Sequence, residues 1–200
     1  MKQIITIGRQ FGSGGREIGI KLAESLNIPY YDKELLKRAA KESGLCEHLF
    51  DSFDEKPKSL LYSLAMDPYS LSNFTSPYGG IEQDVFLATF NTVKKIAAEG
   101  PCVLIGRCAD YALRDRDDCL RLFIYAPLAE RAKRIASLRD LSPEKAKDAI
   151  NKVDKQRASY YNYYTSKKWG AVASYDMCID SSLLGVDKTV DLIRYILEER

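Results

Sequence analysis

Residues 4–17 read IITIGRQFGSGGRE, and this stretch decides the fold. Its first part, Ile4-Ile5-Thr6-Ile7, is a β-branched run bounded by Gly8, which predicts a buried strand. Gly12-Ser13-Gly14-Gly15 predicts a tight turn, and the apolar spacing that follows predicts a helix to about Asn27. A glycine turn between a strand and a helix lets backbone N–H groups converge beside the positive end of the helix dipole. The stretch therefore predicts a phosphate cradle.

Arginines flank this turn and strengthen the prediction. Arg9 precedes it and Arg16 follows it, so both can supply the positive charge that phosphates need. The alternative interpretation is a glycine turn that serves only close packing of the helix on the sheet. The predicted phosphate-binding residues are Gly12, Ser13, Gly14, Gly15, Arg16 and Glu17.

Neither standard nucleotide-binding motif fits this loop strictly. The dinucleotide pattern GxGxxG fails at its third glycine, where Glu17 stands, although Asp32 lies at the spacing of a ribose-binding acid. The mononucleotide pattern GxxxxGK[ST] places its lysine on Gly15 and its hydroxyl residue on Arg16. Both the lysine and the hydroxyl are therefore missing.

The rest of the chain alternates strands with helices. Further strands are predicted at 30–31, 102–105, 120–125 and 175–180. Helices are predicted after Asp32 and over about 82–98, 127–138, 143 to about 157 or beyond, and 186–199. This order predicts one α/β domain with a parallel sheet between helices, interrupted by a Pro-, Ser- and Tyr-rich insertion near 45–80. Ligands bind such sheets at the carboxyl ends of the strands. The loop 8–17, Gly106-Arg107 and the helix start at 127 are expected there.

Composition excludes several classes of protein. The chain has 200 residues and a formal net charge of +2, which gives no global attraction to nucleic acid or to a membrane surface. No apolar run approaches a membrane span or a secretory signal. Five cysteines without a CxxC pair and a single histidine disfavour a disulfide framework and a zinc site. We therefore expect a cytoplasmic protein without nucleic-acid or membrane partners.

Six segments together resemble the cytidylate kinase-like family of P-loop nucleoside monophosphate kinases. They are IGRQFGSGGREIGIKLAESL, IPYYDKELLKRAAKESGL, VLIGRCADYALRD, FIYAPLAERAKRI, KVDKQRASYYNYYTSKKWG and YDMCIDSSLLGVDKTVDLI. The resemblance implies a three-layer P-loop fold with an acceptor-binding insertion at 45–80 and a lid at 135–170. It also implies ATP and Mg²⁺ as cofactors and a nucleotide as the small-molecule partner.

The resemblance assigns roles to individual residues. Arg107 of the Gly-Arg pair would hold the acceptor phosphate, with Asp32, Lys33 and Asp110 lining the acceptor pocket. Residues 180–183 would border the adenine site. In the lid, Arg131, Arg134 and Arg157 would neutralise the transferring group, and Asp154 would pair with Arg157. The alternative for the lid arginines is a solvated helix face.

The departures from this family leave the function open. Ile105 replaces the acid that usually precedes the Gly-Arg pair, and Cys108 replaces the acid that follows it. Arg9 or Arg16 would then replace the lysine, with metal held by Ser13, Glu17 or the phosphates alone. The leading hypothesis is a phosphotransferase that moves phosphate from ATP to CMP or dCMP. The alternatives are a nucleotide- or phosphoanion-binding module without turnover and a kinase for a non-nucleotide small acceptor.

The predicted lid is basic and rich in tyrosine. Residues 131–168 contain eleven lysines and arginines against four acids, so the near-neutral total hides a cationic segment. Its aromatic residues allow two interpretations: they stack on bases, or they form a core or homo-oligomer contact. These residues are Tyr160, Tyr161, Tyr163, Tyr164 and Trp169.

Overall fold

The computed structural model describes residues 4–53 and 80–199. The strands are β1 (Ile4–Arg9), β2 (Tyr30–Tyr31), β3 (Cys102–Ile105), β4 (Cys119–Tyr125) and β5 (Met177–Asp180). The helices are α1 (Gly15–Leu26), α2 (Lys33–Ser43), α3 (Glu47–Phe53), α4 (Ile81–Glu99), α5 (Ala109–Ala112), α6 (Leu128–Arg139), α7 (Pro143–Thr165) and α8 (Ser181–Glu199). A short 3₁₀ turn spans Val172–Ser174.

The strands form one parallel sheet in the order β2-β3-β1-β4-β5. The central strand is β1, where Ile4 stands opposite Cys102 of β3 and Cys119 of β4. Because all five strands run the same way, their carboxyl ends meet at one edge. The predicted parallel α/β sheet is therefore confirmed, and the loops after β1, β2 and β3 lie at this common edge.

Helices cover both faces of the sheet and make three layers. On one face, Ile5 and Ile7 of β1 are buried in a cluster with Leu22 of α1 and Ile193 of α8. On the other face, Ile4 is buried with residues of α2 and α4, among them Leu36 and Val93. The alternation along β1 follows from the two-residue period of a strand, and it positions the loop after Arg9 between two packed layers.

Several element boundaries differ from the predicted ones. Helix α7 begins at Pro143 and extends beyond Arg157, as predicted, and it ends at Thr165 with Tyr160 and Tyr161 buried along it. Helix α8 begins at Ser181, with a non-helical break at Gly185. The short helix α5 was not predicted, since four residues are too few to show a period.

The predicted insertion is only partly described. It begins with α3, and Phe50 is fully buried against the core, while residues 54–79 lie outside the described residues. The predicted lid at 135–170 corresponds to the end of α6, the turn after it, and α7. Here Ile135 packs on Ala146 and Ile150. The division of the chain into an insertion and a lid stays a prediction.

The tyrosine-rich segment contributes mainly to a buried aromatic cluster. Tyr160 and Tyr161 are buried, and Tyr164 stacks on Phe86 with ring centroids 4.0 Å apart. Tyr163 is 59% exposed. Across residues 4–53 and 80–199, no helix combines the length and apolar character that crossing a membrane requires.

The contact between α1 and the sheet gives a stability prediction. Leu22→Ala removes a side chain that is 0% exposed, and we expect the free energy of unfolding to fall by about 2–5 kcal/mol. The matched control is Leu183→Ala, whose side chain is 80% exposed and whose effect should stay within about 0.5 kcal/mol. Urea unfolding of both variants measures the difference, and equal effects would mean that α1 is not packed as described.

Candidate active site

The glycine loop after β1 is a tight turn held by its own serine. The Ser13 hydroxyl donates to the Gln10 carbonyl at 2.9 Å and accepts from the Gly15 N–H at 3.3 Å. Gly12 and Gly14 have φ angles of 84° and 78°, a region that side chains rarely adopt. The turn leads directly into the first turn of α1. The predicted strand–glycine turn–helix arrangement is therefore present.

This loop forms one wall of a cleft of about 550 Å³. The other wall comes from Arg134, Ile135 and Leu138 of α6 and from Arg157 of α7. A volume of this size falls within the roughly 300–1,000 Å³ of small-molecule sites. Of the predicted phosphate-binding residues, those that line the cleft are Gly12, Gly14, Gly15, Arg16 and Glu17.

Asp32 joins the glycine loop to the turn after β3. Its carboxylate accepts a hydrogen bond from Arg16 Nε at 2.7 Å and another from Arg107 Nη1. Asp32 precedes α2, as predicted for an N-cap, but its side chain makes no capping bond because the arginines hold it. One carboxylate thus fixes an arginine of α1 and the arginine that follows β3.

The pKa of Asp32 reflects its arginine neighbours. Burial alone would raise this pKa, but the charge of Arg107, the hydrogen bond from Arg16 and the charge of Arg9 outweigh it. The net effect is a pKa below the ordinary range, so Asp32 stays ionised near neutral pH.

The backbone after β3 is strained in order to present Arg107. Gly106, Arg107 and Cys108 have consecutive φ angles of 79°, 54° and 55°. Left-handed backbone at a non-glycine residue costs about 1–3 kcal/mol and persists only when its surroundings impose it. Arg107 Nη1 donates to the Ile105 carbonyl at 3.0 Å as well as to Asp32, and these bonds fix the turn.

The arginines of the predicted lid divide into two kinds. Arg131 is 7% exposed and holds the glycine loop: its Nε donates to the Ala126 carbonyl at 2.9 Å and its Nη1 to the Phe11 carbonyl at 3.1 Å. Arg134 lines the cleft and donates to Glu17. Arg157 also lines the cleft and donates to the Arg9 carbonyl at 3.2 Å.

The predicted partner of Asp154 needs correction. Asp154 accepts from Arg131 Nη1 at 2.6 Å and from the Phe11 N–H at 2.8 Å, so it bonds the arginine of α6 instead of serving Arg157 as expected. The reason is the turn between α6 and α7, which packs these helices side by side and brings Asp154 over the glycine loop. The contacts of Arg131 place it as a positioning residue for the loop.

A second cavity of about 20 Å³ lies behind Arg9 and Arg157. It contains Arg107 and Asp110 together with an aromatic wall of Tyr160, Tyr161, Trp169 and Tyr175. Arg9 and Arg157 line both this inner cavity and the cleft. Lys33, by contrast, is exposed at the start of α2 and lines neither space.

Asp110 is the buried acid of the inner cavity. Tyr161 donates its hydroxyl proton to Asp110 Oδ2 at 2.7 Å. Burial raises the pKa of Asp110, and the hydrogen bond from Tyr161 offsets this only in part. Burial also raises the pKa of Tyr161 and of Tyr175, so both keep their protons. The sequence made Tyr161 a candidate for base stacking but did not predict its bond to Asp110. Tyr175 lies outside the tyrosine run and carried no sequence signal of a site.

Ser181 connects the last strand to the glycine loop. Its hydroxyl is placed 2.6 Å from the Ser13 carbonyl and 3.1 Å from the Tyr125 carbonyl. Ser181 therefore lies beside the glycine loop, and the adenine site that the resemblance places near residues 180–183 stays a prediction.

The described residues do not fit a magnesium site held by side chains. Among them, no group of three or more potential ligands from His, Cys, Asp and Glu comes together. The Ser13 hydroxyl is committed to the turn, Asp32 is bonded by two arginines, and Glu17 is bonded by Arg134. Mg²⁺ prefers carboxylates and phosphate oxygens, and a carboxylate next to a guanidinium is a poor ligand.

Comparison with known sequences identifies the family. The profile of the cytidylate kinase-like family matches residues 4–183. The chain belongs to this family. It is 22% identical to a cytidylate kinase of Methanopyrus kandleri over 98% of this chain and 93% of that one. It is 25% identical to a cytidylate kinase of Pyrococcus horikoshii over 90% of this chain and 81% of that one.

Solved structures give the same fold for this cytidylate kinase-like chain. A crystal structure of an uncharacterized protein from Eubacterium ventriosum is 30% identical, with a TM-score of 0.75 and both chains covered in full. A shikimate kinase from Bacteroides thetaiotaomicron is 14% identical over 99% of each chain, with a TM-score of 0.58, which is a likeness of fold. The predicted three-layer P-loop kinase fold is thus confirmed.

The pairing of Asp32 gives a second stability prediction. Asp32→Asn removes the carboxylate charge from a buried ion pair with Arg107, and breaking such a pair costs about 3–5 kcal/mol. Asp118→Asn is the matched control, because its pair with Arg116 is exposed and should contribute no more than about 1 kcal/mol. Denaturant unfolding at neutral pH measures both changes.

The same variant should alter the pH dependence of stability. Since the folded pKa of Asp32 is lowered, its contribution is complete above the unfolded value of about 3.9 and is lost as pH falls through the folded value. The difference in unfolding free energy between wild type and Asp32→Asn should therefore shrink only in acid below that value. A difference that shrinks between pH 7 and pH 5 would contradict the lowered pKa.

Proposed function

We propose that this protein transfers a phosphoryl group from ATP to a nucleoside monophosphate, with CMP or dCMP as the first acceptors to test. The observation that carries the proposal is the junction of two spaces. A nucleotide-sized cleft over the glycine loop and an inner cavity beside Arg107 share the walls Arg9 and Arg157. A donor phosphate in the first space and an acceptor phosphate near the second would meet between these arginines.

The donor phosphates would lie on the glycine loop. The first-turn N–H groups of α1, near Gly15, Arg16 and Glu17, and the positive end of the helix favour an anion there. Arg134 would then exchange its bond with Glu17 for a bond to phosphate. ATP remains the proposed donor. Mg²⁺ would be bound by the nucleotide phosphates. The residues of the chain would bind and orient the two nucleotides.

The acceptor phosphate would be held by Arg107 at the edge of the inner cavity. Asp110 would act on the acceptor through a water molecule, since a cavity of about 20 Å³ has room for about one water. Phosphoryl transfer depends mostly on positioning and on cations that stabilise charge as it spreads. Around Asp32 the site gathers Arg9, Arg16 and Arg107, an excess of positive charge that phosphate oxygens would neutralise. The attacking phosphate oxygen is already anionic, so no strong general base is needed.

A binding module without turnover is the second candidate. Three observations favour it. Gly15 stands where mononucleotide loops carry lysine, Ile105 stands where the family usually carries an acid before the Gly-Arg pair, and the described residues fit a magnesium site poorly. A kinase with a non-nucleotide small acceptor is a third candidate. It would use the same donor loop with a different acceptor.

The cellular setting is also part of the proposal. We propose a cytoplasmic protein, since Cys102, Cys108 and Cys119 are buried as free thiols. A homo-oligomer and the lack of a nucleic-acid partner stay predictions of the sequence.

An ADP-release assay with ATP, Mg²⁺ and a panel of monophosphates tests the proposed reaction. Release that depends on CMP or dCMP is the expected result. Tight ATP binding by calorimetry without turnover on any acceptor would contradict it and favour the binding module. Turnover only with a small non-nucleotide acceptor would favour the third candidate.

Arg107→Ala tests the acceptor assignment. We expect kcat/KM for the acceptor to fall roughly 10- to 150-fold, the value of a charged hydrogen bond of about 1.5–3 kcal/mol, with ATP binding near normal. Arg116→Ala is the control, because Arg116 pairs with Asp118 at the surface and should leave both quantities unchanged. Loss of ATP binding in Arg107→Ala, in protein that circular dichroism shows to be folded at the assay temperature, would show that Arg107 serves the donor instead.

A further inference from the structure

Gly15 stands where mononucleotide-binding loops carry lysine, and the structure gives a steric reason. A Cβ atom at Gly15 would lie 2.6 Å from Arg9 Cβ and 3.1 Å from Ile124 Cβ. Real Cβ atoms essentially never approach another heavy atom within 3.0 Å, and both neighbouring Cβ atoms are attached directly to strand backbone, Arg9 in β1 and Ile124 in β4. A side chain at position 15 therefore has no room while Arg9 occupies its place.

The first atoms of the Arg9 side chain occupy that space, and Arg9 lines both cavities. Its Cγ would lie 3.4 Å from a Cβ at Gly15, and the residue is only 7% exposed. It lines the cleft and the inner cavity, and its charge lowers the pKa of Asp32. Arg9 thus brings a buried positive charge to the place where the cleft and the inner cavity meet, supplied from the strand instead of from the loop.

Arg16 is less suited to this position. Its side chain is 60% exposed, and its Nε is bonded to Asp32 at 2.7 Å. The lysine of a mononucleotide loop reaches the β- and γ-phosphates, which a side chain held away from the loop by Asp32 does less well. Of the two arginines that flank the loop, only Arg9 combines burial with contact to the vacant side-chain position.

We propose that Arg9 provides the donor-phosphate cation that lysine provides in other loops of this kind, and that position 15 is glycine because the Arg9 stem fills the space. The ligand class is a polyphosphate. This inference rests on the proposed function for the identity of the donor, ATP. It goes further by naming the residue that binds the donor phosphates and by giving a reason for glycine at position 15. A guanidinium also offers paired donors to phosphate oxygens where an ammonium offers a point charge.

An exchange of the two positions tests the proposal. The variants are Arg9→Gly, Gly15→Lys and the double variant that carries both changes. Binding of ATP and of inorganic tripolyphosphate is measured by calorimetry in the presence of Mg²⁺. We expect Arg9→Gly to weaken binding roughly 10- to 150-fold because a charged bond is lost. Gly15→Lys should also weaken binding at least tenfold, although it adds a positive charge, because its Cβ collides with Arg9.

The double variant should recover most of the affinity, since glycine at position 9 removes the closest contact and lysine at position 15 restores the charge. Wild-type or tighter binding by Gly15→Lys alone would overturn the proposal. A double variant that binds no better than Arg9→Gly would also overturn it. Thermal unfolding midpoints show whether each variant is folded.

A second comparison decides the matter if a lysine variant fails to fold. Arg9→Ala and Arg16→Ala keep the loop free of new side chains, and Arg9→Ala should lose at least fivefold more tripolyphosphate affinity than Arg16→Ala. The opposite order, or equal losses, would overturn the proposal.

These readouts are binding constants, so they are independent of turnover. Arginine-dependent binding without ADP release would reject the kinase reaction only, whereas normal ATP turnover and binding in Arg9→Ala would reject the role of Arg9 only.

Discussion

The candidate site depends on one buried carboxylate shared by arginines. Asp32 is 4% exposed, and an isolated anion at such a position would cost several kcal/mol. Arg107 must therefore stay beside it, which imposes the left-handed turn after β3, and Arg16 is drawn to it from α1. One interaction thus fixes the ends of β2 and β3 and the start of α1 relative to one another.

Arg131 and Asp154 hold the opposite side of the glycine loop. Arg131 donates to the Phe11 carbonyl, Asp154 accepts from the Phe11 N–H, and the two side chains bond each other. Helices α6 and α7 therefore both hold the loop. The loop is consequently fixed before any ligand arrives, which lowers the ordering cost of binding. Arg9 lines both the cleft and the inner cavity, so it lies where the two spaces meet.

Much of this arrangement follows from residue patterns. The run Ile4–Ile7 before glycines predicted the central strand and its loop, and the Gly-Arg pair predicted an arginine at the same edge of the sheet. The pairing of Asp154 was predicted wrongly, because helix periodicity does not say which neighbouring helix a side chain faces. The clash between Gly15 and Arg9 was also beyond prediction, since it depends on how closely α1 packs on β1 and β4.

The most direct measurement of the central claim is a crystal structure of the protein with a non-hydrolysable ATP analogue and CMP. The account predicts that the β- and γ-phosphates lie on the N–H groups of residues 14–17 with the Arg9 guanidinium in contact and Gly15 unmoved. It also predicts the CMP phosphate on Arg107, with Asp32 still bonded to that arginine. Phosphates contacted by Arg16 while Arg9 stays remote, or a CMP phosphate away from Arg107, would contradict it.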